Sequence, residues 1–175
     1  MPASTSADQL CRTSLGRGLT PAQAHSLLAI ADESDLEAGT TVFRESDPGD
    51  CVYLVLDGRV QVLKKDKQGT EHPLAELEPG TVLGEMSLVA GNAPRSATAR
   101  AMTKAKLLRL PTDRFQGLLS RDDLAALKVV RNIAEEMGRR LLVMNERIVE
   151  TLSRAAAGRR EELGNFSKLL HDWSF

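Results

Sequence analysis

The chain has 175 residues, 42% of them hydrophobic, and a formal net charge of −1. That is one domain's worth of chain with an appendage, and it is apolar enough to bury a core. The composition excludes the global positive field of a nucleic-acid binder and a membrane span of about 18 consecutive apolar residues; the N-terminal MPASTSADQL also lacks the apolar core of a signal peptide.

Residues 1–18 are rich in Ser, Thr, Ala and Gly and read as a frayed, flexible N-terminus. LTPAQAHSLLAIA then predicts a short helix, with Thr20 as N-cap and Pro21 at the first helical position. From Thr40 to Leu110 the pattern is short strands and turns. TTVFRE runs into the turn SDPGD. CVYLVLDGRVQVLKK reads as a hairpin of two strands joined around Asp57-Gly58. KKDKQGTE is a polar turn with Gly69, HPLAELEPGTVLGE adds a strand and a Pro79-Gly80 turn, and SATARAMTKAKLLRL supplies the last pair. Short strands with frequent glycine turns predict a β-sandwich, jelly roll or barrel.

After Leu110 the texture is helical. PTDRFQGLLS predicts a short helix opening with Pro111, Thr112 and Asp113. A long helix follows from near Arg121 to Ala157. Val130, Ala134, Met137, Leu141, Met144, Ile148, Thr151 and Ala155 repeat at alternating steps of four and three, which is a heptad seam. Such a seam either packs on its own β-domain or joins two copies of the chain. Its length beside so small a β-domain favours a homodimer, although Thr151 and Ala155 weaken the far end. Gly158 ends the helix, and residues 158–175 form a short tail with Leu163, Phe166, Leu170 and Trp173 on one helical stripe, expected to dock on the body. The expected division is a flexible segment (1–18), one domain including the long helix (19–157) and the tail (158–175). The fold class is α+β: a β jelly roll or barrel with a short N-terminal helix and a long C-terminal dimerisation-type helix.

The chemistry concentrates in GEMSLVAGNAPRSATARA, Gly84 to Ala101, where one carboxylate, Glu85, and one guanidinium, Arg95, sit among small residues. Gly84 permits close backbone approach. EMSL predicts one helical turn whose first N–H groups face outward, which suits an anion, and Arg95 adds a planar cationic fork suited to phosphate. Glu85 fits if the ligand carries hydroxyls beside its phosphate, because a carboxylate accepts from a sugar hydroxyl and can also hold the arginine. Phosphate and ribose bound together describe a nucleotide. Taken alone, the pair also reads as a salt bridge bracing a loop.

The wider sequence resembles the cyclic nucleotide-binding domain family over about residues 20–150. VFRESDPGDCVYLVLDGRVQVL is similar to that family's first strands, and LAELEPGTVLGEMSL with PRSATARA is similar to its phosphate-binding cassette. The resemblance implies that Glu85 binds the ribose 2′-hydroxyl and Arg95 the cyclic phosphate. It also implies help from the backbone around Gly84, Met86 and Ser87 and from Ser96, with Val62 and Leu74 lining the base and sugar. RRLLVMNERI resembles the dimer helix of the family's bacterial activators, which places Met144 and Asn145 where two small hydroxyl residues reach the base. That departure touches base selectivity and leaves phosphate recognition alone. Many cGMP-selective relatives carry threonine where this chain has Ser96, so the expected ligand is cAMP before cGMP. The activators continue into a helix-turn-helix, for which residues 158–175 are too few. The expectation is therefore a binding module without its own output domain, regulating through a protein effector or as the sensor part of a longer transcription regulator.

Other chemistries fit worse. His25, His72 and His171 lie in separate segments, unlike the clustered histidines of a metal-dependent jelly-roll enzyme. No nucleophile elbow points to a hydrolase. Cys11 and Cys51 form no cluster for a redox or metal sensor and suit a reducing cytoplasm. His72 facing a haem is a weaker reading than a solvated strand histidine. Cyclic di-GMP or an orphan ligand stays possible, but the Glu85–Arg95 pair favours a cyclic mononucleotide. No enzyme activity, metal, cofactor, nucleic acid or membrane partner is expected.

Overall fold

The computed structural model describes residues 5–89 and 93–158. Eight antiparallel strands occupy the middle of the chain: β1 (Asp32–Leu36), β2 (Thr41–Phe43), β3 (Cys51–Asp57), β4 (Val60–Lys65), β5 (Glu71–Leu77), β6 (Val82–Leu83), β7 (Thr98–Ala101) and β8 (Ala105–Pro111). They form two four-stranded sheets, ordered β1-β8-β3-β6 and β2-β7-β4-β5. Between them lies an apolar cluster of Val55, Val60, Leu77, Leu83, Ala99 and Leu107. This is the jelly roll that the strand and turn pattern predicts.

The pairing departs from the sequence reading. Asp57-Gly58 does not close a hairpin: β3 pairs with β8 and β6, while β4 pairs with β5 and β7. The reason lies in β3, where Cys51, Val52, Leu54 and Val55 are all at most 1% exposed. A strand buried on both faces needs a neighbour on each side and cover above and below. The turn therefore carries the chain from one sheet to the other. Gly58 makes that crossing at φ +76°, and a Cβ there would stand 2.2 Å from the Lys104 carbonyl oxygen. Met102 N donates to Arg59 O at 2.8 Å and Arg59 N to Thr103 Oγ1 at 3.0 Å, which seals the crossing under the next loop. Strands β7 and β8 likewise do not pair with each other; β7 lies between β2 and β4, and β8 between β1 and β3. The hairpin at Gly69 is real, with Asp66 N donating to Thr70 O at 3.0 Å and β4 paired to β5. Its register jumps between Val62 and Leu63, leaving Leu74 as the extra, bulged residue of β5.

The expected fraying is corrected for residues 5–18; residues 1–4 lie outside the described residues. Helix α1 (Ala7–Cys11) carries a full capping box between Ser6 and Gln9. Leu10 and Leu15 are buried, and Thr5 donates through its backbone and hydroxyl to the Glu33 carboxylate. Two leucines within a Ser/Thr/Gly composition supply the anchor that the composition conceals. Helix α2 (Pro21–Leu28) follows its prediction, with Thr20 and Gln23 forming the capping box and Pro21 leading the first turn.

After the four-residue helix α3 (Met86–Val89) and the last strands come α4 (Thr112–Leu119), which buries Phe115 completely, and α5 (Leu124–Gly158). The chain divides into two compact units between Ala134 and Glu135. In the first unit α5 buries Ala125, Ala126, Val129, Asn132 and Ile133, a different stripe from the predicted seam. Asn132 Nδ2 donates to the carbonyls of Leu15 and Arg17, at 2.9 Å each. In the second unit the seam residues Leu141 and Met144 are 46% and 48% exposed. The Ala155 side chain and the tail residues Leu163, Phe166, Leu170 and Trp173 lie outside the described residues. No helix among the described residues is long and apolar enough to cross a membrane.

Gly58→Ala places a side chain at positive φ against a carbonyl oxygen. We expect it to lower the unfolding free energy by roughly 1–3 kcal/mol in urea denaturation; an unchanged midpoint would contradict this account of the crossing.

Candidate functional site

Arg95 is fixed before it reaches anything. Its N–H donates to Asp47 O at 2.9 Å, and its carbonyl accepts from Ser46 N at 2.8 Å, which ties it to the loop between β2 and β3. Its side chain is only 2% exposed. Nη1 donates to Gly84 O at 3.1 Å and reaches Ser87 Oγ at 3.5 Å. Nη2 reaches Cys51 Sγ at 3.3 Å and Asp50 Oδ1 at 3.4 Å. The guanidinium carbon lies 4.4 Å from the Phe43 ring centroid and 5.8 Å from that of Tyr53, and these two rings stack at 5.9 Å. Nε is buried and has no acceptor among the described residues.

Small residues make this possible. Gly84 adopts φ +73°, and a Cβ on it would stand 2.4 Å from Arg95 Nη1. A Cβ on Gly49 would stand 2.2 Å from Ala93 O and 2.6 Å from Ser87 Cβ. The Ser87 hydroxyl has Gly84 O at 2.8 Å and Cys51 O at 3.1 Å as acceptors. Ser87 sits in α3, the single helical turn predicted from EMSL.

A carboxylate that the sequence reading missed borders the guanidinium. Asp50 accepts from Arg109 Nη2 at 2.9 Å through one oxygen and from the Cys51 thiol at 3.0 Å through the other. The thiol hydrogen bond, followed by Arg109, holds its carboxyl below the usual carboxylate range against an opposing effect of burial. Burial first, then the Asp50 hydrogen bond, pushes the Cys51 thiol up. Burial, reinforced by Cys51, pushes the Tyr53 hydroxyl up to about 12. Beyond Asp50 a surface cleft of about 470 Å³ is lined by Arg109, Thr112 and Arg114. Its cations are already matched, since Arg109 and Arg114 both pair with Asp32.

Of the sequence-predicted site residues, the structure brings Gly84, Ser87 and Arg95 into direct contact. Glu85 is half-buried at the start of α3, where its carbonyl accepts from Leu88 N and Val89 N. Met86 is 40% exposed on the same turn. Ser96 is exposed, and its carbonyl accepts from Lys64 Nζ at 2.6 Å. Val62 packs half-buried against the inter-sheet cluster, whereas Leu74, on the β5 bulge, is 55% exposed. Met144 and Asn145 are exposed on α5 in the second unit. Besides Asp50, the sequence reading missed Cys51, Phe43 and Tyr53. The period-two alternation of CVY, which sets Cys51 and Tyr53 on one face of β3, was the available signal. Among the described residues no group of three His, Cys, Asp or Glu side chains is placed to hold a metal ion.

A buried cation with an unpaired donor, walled by glycines and one helical turn, has the chemistry to attract a compact anion. The chain is 34% identical to the cyclic AMP receptor protein of Thermus thermophilus over 127 residues, 73% of this chain and 56% of that protein. It is 42% identical over 84 residues to a cAMP-dependent protein kinase regulatory subunit of Yarrowia lipolytica, covering 48% of this chain and 21% of that one. Among solved structures, the N-terminal domain of a transcriptional regulator from Streptomyces coelicolor A3(2) superposes with a TM-score of 0.66 at 34% identity, covering 78% of this chain and 95% of that one. The chain spans little more than half the length of the bacterial relatives it matches. Residues 33–122, just over half of the sequence, match the cyclic nucleotide-binding domain, and the chain belongs to that family.

Proposed function

We propose that this domain binds a cyclic mononucleotide, cAMP in preference to cGMP, and that binding regulates rather than initiates chemistry. The observation that carries the reading is Arg95: a nearly fully buried guanidinium whose Nε has no acceptor among the described residues. A buried charge-bearing donor left open is expensive. A cyclic phosphodiester, compact and singly charged, supplies the missing acceptor and the countercharge together. In this reading the backbone around Gly84, Met86 and Ser87 assists at the phosphate, Glu85 accepts from the ribose 2′-hydroxyl, and Ser96 lies at the phosphate's edge. Val62 and Leu74 offer apolar surface to the sugar and base, and the exposure of Leu74 suits a side chain that waits for a ligand. The preference for cAMP is supported by relatives named for that nucleotide.

We also propose that α5 joins two copies of the chain. Leu141, Leu142, Val143, Met144 and Val149 are between 42% and 65% exposed on one helix, more apolar surface than a solvated helix carries without a partner.

Titration calorimetry with cAMP, cGMP and cyclic di-GMP tests the ligand. We expect the tightest binding for cAMP; no binding of either mononucleotide at millimolar concentration would reject the function. Arg95→Lys keeps a charge and loses the planar fork. It is expected to weaken binding by at least about tenfold, the equivalent of one charge-assisted hydrogen bond. Equal affinity would return Arg95 to a purely structural role. For the assembly, Leu141→Glu should convert a dimer to a monomer in light scattering, and a wild-type protein that is monomeric at high concentration would dismiss the α5 interface.

A further inference from the structure

Cys51 is 0% exposed and touches both charges of the site: its thiol donates to Asp50 Oδ1 at 3.0 Å, and its sulfur accepts from Arg95 Nη2 at 3.3 Å. The direct Asp50–Arg95 contact, at 3.4 Å, is longer than the 2.7–2.9 Å of a well-formed charge-assisted hydrogen bond. Asp50 spends its other oxygen on Arg109, at 2.9 Å, and its side chain is 64% exposed. The carboxylate therefore grips the buried guanidinium weakly, and the sulfur is the nearer partner on that side. Sulfur is also the better anchored of the two. Cys51 lies in β3, in register with Pro111 of β8, and its carbonyl accepts from Ser87, so strand and cassette both hold it in place.

We propose that Cys51 is a positioning residue of this site: its neutral thiol bridges Asp50 to Arg95 and sets the orientation in which the guanidinium meets the nucleotide's phosphate. The inference rests on the cyclic-nucleotide reading above and assigns that site a residue which does not itself touch ligand. Two opposed needs explain a thiol here. A second carboxylate or a thiolate beside Asp50 would repel an incoming phosphate. An apolar side chain would leave Nη2 with only the distant carboxylate. A protonated thiol donates to Asp50, accepts from Arg95 and adds no charge. Burial and the Asp50 hydrogen bond keep it protonated near neutral pH, with Arg109 and Tyr53 the other titratable groups around it.

The test separates hydrogen bonding from packing. Serine keeps a donor and an acceptor but underfills the site; valine fills it and offers neither. cAMP affinity is measured by calorimetry on the full chain for wild type, Cys51→Ser, Cys51→Val and Cys51→Ala, with thermal unfolding of each to confirm a folded protein. Expected are Cys51→Ser within about threefold of wild type, and Cys51→Val and Cys51→Ala weaker by about tenfold, the loss of one hydrogen bond to a charged group. Valine binding as tightly as wild type overturns the proposal. If Cys51→Val does not fold, alanine against serine decides, and equal affinities overturn it. A wild-type protein that binds no cyclic nucleotide removes the functional reading and this inference with it. Binding in the wild type that is insensitive to all three substitutions removes this inference alone.

Discussion

The structure turns on keeping the guanidinium of Arg95 out of water. An isolated buried charge is among the least favourable arrangements a fold can contain, so each wall of the site supplies part of its solvation. Gly84 gives a carbonyl oxygen, Ser87 a hydroxyl, Cys51 a sulfur, Asp50 a carboxylate, and Phe43 with Tyr53 the faces of two rings. Two of the four contacts, to Ser87 and Asp50, are long at 3.5 and 3.4 Å, and Nε has no acceptor among the described residues. The cation is thus held in place without being saturated, which is the condition for releasing part of its field to a ligand. The two glycines follow from the same constraint. A methyl group at Gly84 would occupy the space of Nη1, and one at Gly49 would collide with the backbone of Ala93.

The jelly roll brings these groups together from distant parts of the chain. Phe43 comes from β2, Cys51 and Tyr53 from β3, Ser87 from α3 and Arg95 from the approach to β7. β2 and β7 pair in one sheet while β3 lies in the other, so the guanidinium spans the space between sheets beside the apolar cluster. The crossing at Gly58 is what allows this. A local β3–β4 hairpin would keep both strands in one sheet, whereas here they belong to the two sheets that share the apolar cluster. The site therefore depends on a turn that contributes no group to it.

Helix α5 shows two faces along its length. Its first turns bury Ala125, Val129 and Ile133, with Asn132 bonded to the carbonyls of Leu15 and Arg17, and so help to fasten the N-terminal segment. Past Ala134 the apolar side chains of Leu141, Leu142 and Met144 are exposed. A heptad pattern in a single sequence records only that a helix is apolar at regular steps. Which stripe serves its own domain and which serves a partner is a property of the packed structure.

Much of this protein was legible in its amino-acid order because the deciding physics is local. Thr20 and Pro21 start α2; Gly69 lies in the turn of a true hairpin; EMSL announces the helical turn at α3; and a lone arginine ten residues after Glu85, in a small-residue loop, draws attention to the candidate site. What the sequence hid is everything that depends on distant partners. Alternation marks β3 and β4 as strands but cannot say that Asp57-Gly58 separates two sheets, because pairing is chosen by the burial that β8 and β6 provide. Ser, Thr and Gly made residues 5–18 look loose, yet the pocket that accepts Leu10 and Leu15 exists only once the rest of the first unit has folded. Asp50 carried no signal of its own and Cys51 only the alternation of β3, which says nothing of an arginine 44 residues away. Their roles follow from a buried charge that must find its partners in space, and a linear chain does not display which of its residues will be within 3.5 Å of one another.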